Sequence, residues 1–336
     1  MNLAKSMSRF RVGVAANDGT MHVGQSPHAG FTLLELIIVI FMLSSLALMS
    51  VFFVDSADDQ ARFEATRTRL AQLRYAMVGD ANRMLNGETE LYGFVADMGR
   101  LPNSLQELIE PPDETMLWQA REIDGVVTES IWSGWRGPYL SAMPEASMST
   151  FRDGWGTSGD APNFGWQFLV SDDVLSVKSL GKDAKVGGVD YEQDYPERGN
   201  LLEKEDWLIG INGRSIQIGF NKPAVIAPDW ALMLTLYFYN GAANSDQPLE
   251  EVESESLEVV DAKAWAKFAD DEPPLPMGKY AAVIWCVKPG APQANGAIVK
   301  KPFNGDCTAQ PSTHSPAWLN LLPRRDHNLN IHWNIN

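Results

Sequence analysis

From Phe31 to Val54 the chain reads FTLLELIIVIFMLSSLALMSVFFV, apolar at nearly every position and interrupted by one carboxylate, Glu35. As a helix this run would rise about 36 Å at 1.5 Å per residue, enough to cross a hydrocarbon core. A secretory signal peptide would have a shorter apolar stretch with small residues after it, whereas here His28-Ala29-Gly30 precedes the run. Beyond Val54 the period changes. Phe63, Leu70, Leu73, Ala76 and Met77 recur at spacings of three, four and seven, with Arg and Gln between them. No Pro or Gly intervenes before Gly79, and Met84 and Leu85 can extend the stripe. The pattern predicts one helix from Phe31 to about Met84, its second half packed on a domain rather than in a free coiled coil.

The next stretch is punctuated differently. Asn103 is placed to cap a short helix with Gln106 at the capping-box offset, burying Leu105, Leu108 and Ile109 before Pro111 and Pro112 stop it. Gly134-Trp135-Arg136-Gly137-Pro138-Tyr139-Leu140 and Asp153-Gly154-Trp155-Gly156 mark turns. Gly165–Val170 and Leu175–Leu180 predict two strands joined by a turn at Ser171-Asp172-Asp173. Farther on, residues 215–220, 232–239, 279–287 and 329–335 alternate in the manner of strands, divided by Pro, Gly and Asn clusters. They predict an antiparallel β domain, a small sandwich, with Glu250-Glu251-Val252-Glu253-Ser254-Glu255 as a solvated loop.

Composition sharpens this outline. The 336 residues carry 27 basic and 43 acidic side chains, a formal net charge of -16, which argues against a nucleic-acid partner. Eleven Trp, 14 Phe and 8 Tyr supply material for real cores, so disorder is excluded. Core filling is the favoured use of the tryptophans, with carbohydrate stacking as the other. Lys5, Arg9 and Arg11 precede the apolar run, and Asp55, Asp58 and Asp59 follow it. The positive-inside bias therefore keeps the N-terminus cytoplasmic and exports the rest. Cys286 and Cys307 are the only cysteines, both on the exported side, where an even count reads as one disulfide; two buried thiols are the alternative. No HExxH, G-x-S-x-G, phosphate loop or Cys–His constellation occurs, so an enzyme is not expected.

A carboxylate inside an apolar helix needs a partner. Were the chain cut after Gly30, the new amino group of Phe31 would lie four residues from Glu35, and one helix's Glu35 could neutralise a neighbour's Phe31 ammonium. At this point Gly30-Phe31-Thr32-Leu33-Leu34-Glu35 and the following Leu36-Ile37-Ile38-Val39-Ile40 resemble the class III signal of type IV pilins and type II secretion pseudopilins. The resemblance implies cleavage between Gly30 and Phe31 by a prepilin peptidase, N-methylation of Phe31, and assembly into a helical filament with Glu35 as the assembly glutamate. The leader is long for that family, so translation could start at Met1, Met7 or Met21. Phe52 and Phe53 stand where many major pilins carry a proline.

The order of motifs from Gly30 to about Pro196 is similar to the major pseudopilin, although Gly154 stands where its turn holds Pro. In that family the loop after the hairpin binds calcium. Here Asp183 and Asp190 supply carboxylates, and Gly181, Gly187 and Gly188 let carbonyls turn inward, as a hard cation requires. The resemblance adds the Leu180 and Gly188 carbonyls and the acidic position Asp194. Ala184 replaces a usual glycine, and Lys182 and Lys185 intrude among the ligands.

The organisation expected is thus a leader over residues 1–30 and a long helix over 31–95, with 31–54 transmembrane. A pseudopilin-like globular region over 96–200 and an added β domain over 201–336 complete it. The fold class is α+β, a pilin-like long helix packed on a small antiparallel sheet plus a mostly β domain. By resemblance the chain is a pseudopilin-like subunit of a periplasmic type II secretion filament, anchored in the inner membrane. Its partners would be other pseudopilins or pilins, the prepilin peptidase, the inner-membrane assembly platform, and secreted substrate or secretin. A minor pilin with an adhesive or tip-specialised C-terminal domain is the alternative.

Overall fold

The computed structural model describes residues 32–80, 83–85, 88–89, 91–123, 127, 129–145, 148–212, 214–241, 249–292, 298–308, 315–323 and 329–335. The chain divides into two compact units, Met1–Ser56 and Ala57–Asn336. Helix α1, Leu33–Val78, begins in the first and ends in the second.

In the first unit the described side chains from Leu33 to Met49 are all exposed, Leu33 and Phe41 by about three quarters. The hydroxyls inside this apolar stretch are turned back on the helix: Ser44 donates to the Ile40 carbonyl at 2.8 Å and Ser45 to that of Met42 at 2.8 Å. Among the described residues no helix is long and apolar enough to cross a membrane. The side chains of 50–54, which end the apolar run, lie outside the described residues.

In the second unit α1 turns Thr66, Leu70, Leu73, Ala76 and Met77 inward, while Phe63 is half-buried. The helix stops at Val78 rather than near Met84. Gly79 adopts φ +68, a conformation open to glycine, and its N–H closes the last turn on the Tyr75 carbonyl at 2.8 Å. Met84–Leu85 instead pairs with Glu88–Thr89. Helix α2, Phe94–Met98, then buries Phe94, Val95 and Met98. The short helix expected after Asn103 is a single 3₁₀ turn, Gln106–Leu108, with Leu105, Leu108 and Ile109 buried as predicted. Its capping box is absent: Asn103 sends its backbone N–H and its side-chain amide to Glu107, at 3.1 and 3.0 Å, because Arg100 already fixes that carboxylate at 2.8 Å.

Strands β1, Gln119–Glu122, and β2, Ser130–Ser133, form a hairpin. Strands β3, Gln167–Ser171, and β4, Val174–Lys178, form another, with Asp172 and Asp173 at φ 52 and 64 making the expected turn. The strands of the two larger sheets are β5 (Ser215–Phe220), β6 (Ala231–Tyr239), β7 (Leu249–Ser256), β8 (Glu258–Val260), β9 (Lys263–Lys267), β10 (Gly278–Pro292), β11 (Ile298–Pro302), β12 (Ala317–Leu321) and β13 (Asn330–Trp333). They build a four-stranded sheet ordered β8-β9-β5-β13 and a five-stranded sheet ordered β7-β6-β10-β11, with β12 also on β10. All pairs are antiparallel except β5 with β13, so the wholly antiparallel expectation fails at that edge.

One hydrophobic core joins the inner faces of both sheets to α1, α2 and the loops between them. Regions 96–200 and 201–336 both contribute to it. The central strand β6 is buried on both faces. Leu232, Leu234, Leu236 and Phe238 enter the main core, whereas Met233 and Tyr237 join Ala281, Val283, Trp285 and Ile131 in a second cluster.

The acidic stretch expected as a loop is strand β7. Its alternation explains the difference: Val252 and Ser254 are buried while Glu251, Glu253 and Glu255 face outward on a sheet edge, where charge discourages further strand pairing. Cys286 on β10 and Cys307 form a disulfide with Cα atoms 5.6 Å apart, which decides between the two readings of the cysteines.

Candidate functional site

Gly30 and Phe31 lie outside the described residues. Immediately after them Thr32 caps α1, its Oγ1 accepting the Glu35 N–H at 3.2 Å. The sequence Thr32-Leu33-Leu34-Glu35 has the capping-box spacing, a local signal for this helix start beside the assembly role expected of Glu35. Glu35 itself is exposed in the first turn, where a carboxylate also favours the helix dipole.

The loop after β4 is folded back on itself. Ser179 and Tyr195 exchange backbone hydrogen bonds at 2.9 and 3.0 Å, the Lys182 N–H reaches the Tyr191 carbonyl at 2.8 Å, and the Asp194 N–H reaches that of Gly187 at 3.1 Å. Gly181 and Gly188 both have positive φ, and a Cβ on either would lie within 2.5 Å of the Glu192 carbonyl oxygen. Ala184 takes φ 56, so the backbone keeps the shape that the usual glycine favours.

Side chains dock this loop onto α1. Lys182 pairs with Asp59 at 2.7 Å, the Tyr191 hydroxyl donates to Gln60 at 2.8 Å, and Phe63 meets Tyr195 edge-on at 4.9 Å. Lys182 is thereby drawn toward the helix.

Of the proposed ligands, Asp183 accepts the Lys185 N–H at 3.1 Å, and Asp190 is exposed at φ 53. One oxygen of Asp194 is buried with no hydrogen-bond partner among the described residues. Among the described residues no three His, Cys, Asp or Glu side chains gather closely enough to hold a metal ion by themselves. Any cation here would need backbone carbonyls for most of its coordination.

A second polar cluster was not anticipated. Asp97 on α2 is buried and accepts from the Tyr139 hydroxyl at 2.8 Å and from Arg136 at 3.1 and 3.2 Å. Burial pushes its carboxyl up to about 6, against the opposing pull of Arg136 and Tyr139. The signal was present in the Trp-Arg-Gly-Pro-Tyr loop, but the acid lies 39 residues upstream of Arg136.

Residues 26–51 match the prokaryotic N-terminal methylation motif. That motif marks the chain as type IV pilin-like at its N-terminus and goes with membrane anchoring, a prepilin peptidase and assembly with other pilins. No curated protein and no solved structure matches the chain.

Proposed function

We propose that this chain is a pseudopilin-like structural subunit that assembles through α1 into a periplasmic filament of a type II secretion system. It is anchored in the inner membrane before assembly, with the Ala57–Asn336 unit exported. One observation carries the reading: the methylation motif over residues 26–51 coincides with a helix whose described apolar side chains from Leu33 to Met49 are all exposed. So continuous an apolar surface requires lipid or neighbouring helices to cover it. Within such a bundle Glu35 would meet the Phe31 ammonium of an adjacent subunit, setting its register.

A calcium ion suits the loop over 180–194. The Asp194 oxygen that is buried without a hydrogen-bond partner among the described residues and the positive-φ backbone at Gly181 and Gly188 are the features that support it. Leu180 and Gly188 would offer carbonyls, and Asp183, Asp190 and Asp194 carboxylates. The ion would brace the loop against α1.

Glu35→Val tests the filament reading. The variant is expected to be processed after Gly30 yet to fail in assembly and export. Normal assembly would overturn the role given to Glu35, and absence of processing in the unaltered chain would overturn the family reading.

A further inference from the structure

Where α2, the β1–β2 hairpin and the outer face of β10 and β12 meet, a cleft of about 270 Å³ opens. Trp118, Trp132, Arg136, Lys279 and Asn320 line it, with Ser133 in its wall. We infer that this cleft is a binding site for an acidic saccharide, holding a sugar ring on its indoles and the ring's carboxylate at Lys279.

The indoles are the first argument. Trp132 is 58% exposed and Trp118 36%, although five other tryptophans of this unit are buried. An exposed indole offers a flat apolar face that stacks on the C–H face of a sugar, and the cost of leaving it wet is recovered only when something covers it.

Charge is the second. Arg136 is spoken for, paired with Asp97 at 3.1 Å and lying 5.0 Å from the Trp118 ring. Lys279 differs. Its ammonium sits 4.1 Å over Trp318, and among the described residues no carboxylate pairs with it. In a chain of net charge -16 an unneutralised cation facing a cleft selects for an anion.

Hydrogen bonding is the third. Asn320 stands directly opposite Lys279 across the β10–β12 ladder, so its amide shares the same face. A hydroxyl-rich ligand answers this amide. The cleft's volume suits one or two rings better than an extended peptide.

The test uses the full chain in detergent, titrated with a tetrasaccharide of alternating glucuronate and N-acetylglucosamine. A neutral N-acetylglucosamine tetrasaccharide and a Glu-rich peptide are run beside it. Heat of binding and indole N–H shifts are read. The acidic sugar should bind most tightly, Trp132→Ala should weaken it at least tenfold, and Trp132→Phe should retain part of the affinity. Lys279→Gln should bring the acidic sugar down to the level of the neutral one. Unchanged melting temperatures would show that these variants fold. Binding by neither sugar, affinity indifferent to Trp132→Ala, or capture of the peptide alone would each overturn the proposal, the last making the cleft a protein-docking surface. Filament assembly does not enter any of these outcomes.

Discussion

The N–H of Gly154 donates to the Thr66 hydroxyl of α1 at 2.9 Å, and a Cβ on Gly154 would lie 2.0 Å from the Arg62 carbonyl oxygen. The turn over 153–156 therefore sits directly on the helix backbone. Asp153 fastens its other side, accepting from Thr157 twice at 2.9 Å and from Ser179 at 2.5 Å, while Arg69 of α1 reaches the Arg152 and Asp153 carbonyls. Gly154 is fitted to this contact.

A proline at position 154 should be damaging. Gly154→Pro removes the N–H that Thr66 accepts and drives ring atoms into the Arg62 carbonyl, so it should cost about 3 kcal/mol or more. Thr66→Val, which only strands one N–H, should cost about 1–3 kcal/mol. Chemical denaturation checks both. A Gly154→Pro protein as stable as the parent would mean that the helix and turn are not in this contact.

Asp97 should make the body's stability pH-dependent. Its carboxyl is raised to about 6 from an ordinary 3.8, so folding takes up a proton. The associated stability is fully present below about pH 3.8 and is lost as pH rises through 6. Asp97→Asn cannot titrate. The difference in denaturation midpoint between parent and variant should therefore shift in the variant's favour between pH 4 and pH 7. Parallel pH profiles would show that Arg136 and Tyr139 hold the carboxylate charged throughout.

How far the sequence revealed this molecule depended on the range of the forces involved. The α1 stripe, the hairpin around Asp172 and Asp173 and the strands at 215–220 and 231–239 follow from local periodicity and turn chemistry. The helix end at Gly79 needed more, because the chain bends there to admit Tyr92, a tertiary contact. Glu250–Glu255 reads as a loop by its charge, yet Val252 and Ser254 carry the strand signal at every second position. Around the candidate site, the glycines of the 180–194 loop were legible, but the buried oxygen of Asp194 was not, since burial belongs to the folded loop and not to any local pattern. The Asp97–Arg136–Tyr139 cluster joins separate segments, and no spacing rule connects them.

The disulfide should contribute measurably to the β core. Cys286 and Cys307 are both fully buried and close a connection of 21 residues, for which loop-closure entropy gives about 3 kcal/mol. Reduction under mild denaturant, or the double Cys286→Ala/Cys307→Ala variant, should lower the denaturation midpoint by that order. The two perturbations should agree if the cross-link dominates. A variant much less stable than the reduced protein would assign the loss to the two side chains' packing against Phe303 and β6 instead.

Calcium should raise the melting temperature of the exported body, because an ion that binds only the folded loop stabilises it by mass action. Asp183→Ala and Asp190→Ala should each reduce that rise, and Asp194→Asn should do so by removing a charged ligand. Lys182→Ala tests a different link. It frees Asp59 from its 2.7 Å partner on the loop, so it should loosen the loop's attachment to α1 yet leave the calcium-induced rise in place. Differential scanning calorimetry in calcium and in chelator separates these effects. A calcium-dependent rise that persists in both Asp183→Ala and Asp190→Ala would put the ion elsewhere, and no rise at all would leave the 180–194 loop held by its own hydrogen bonds and its contacts with α1.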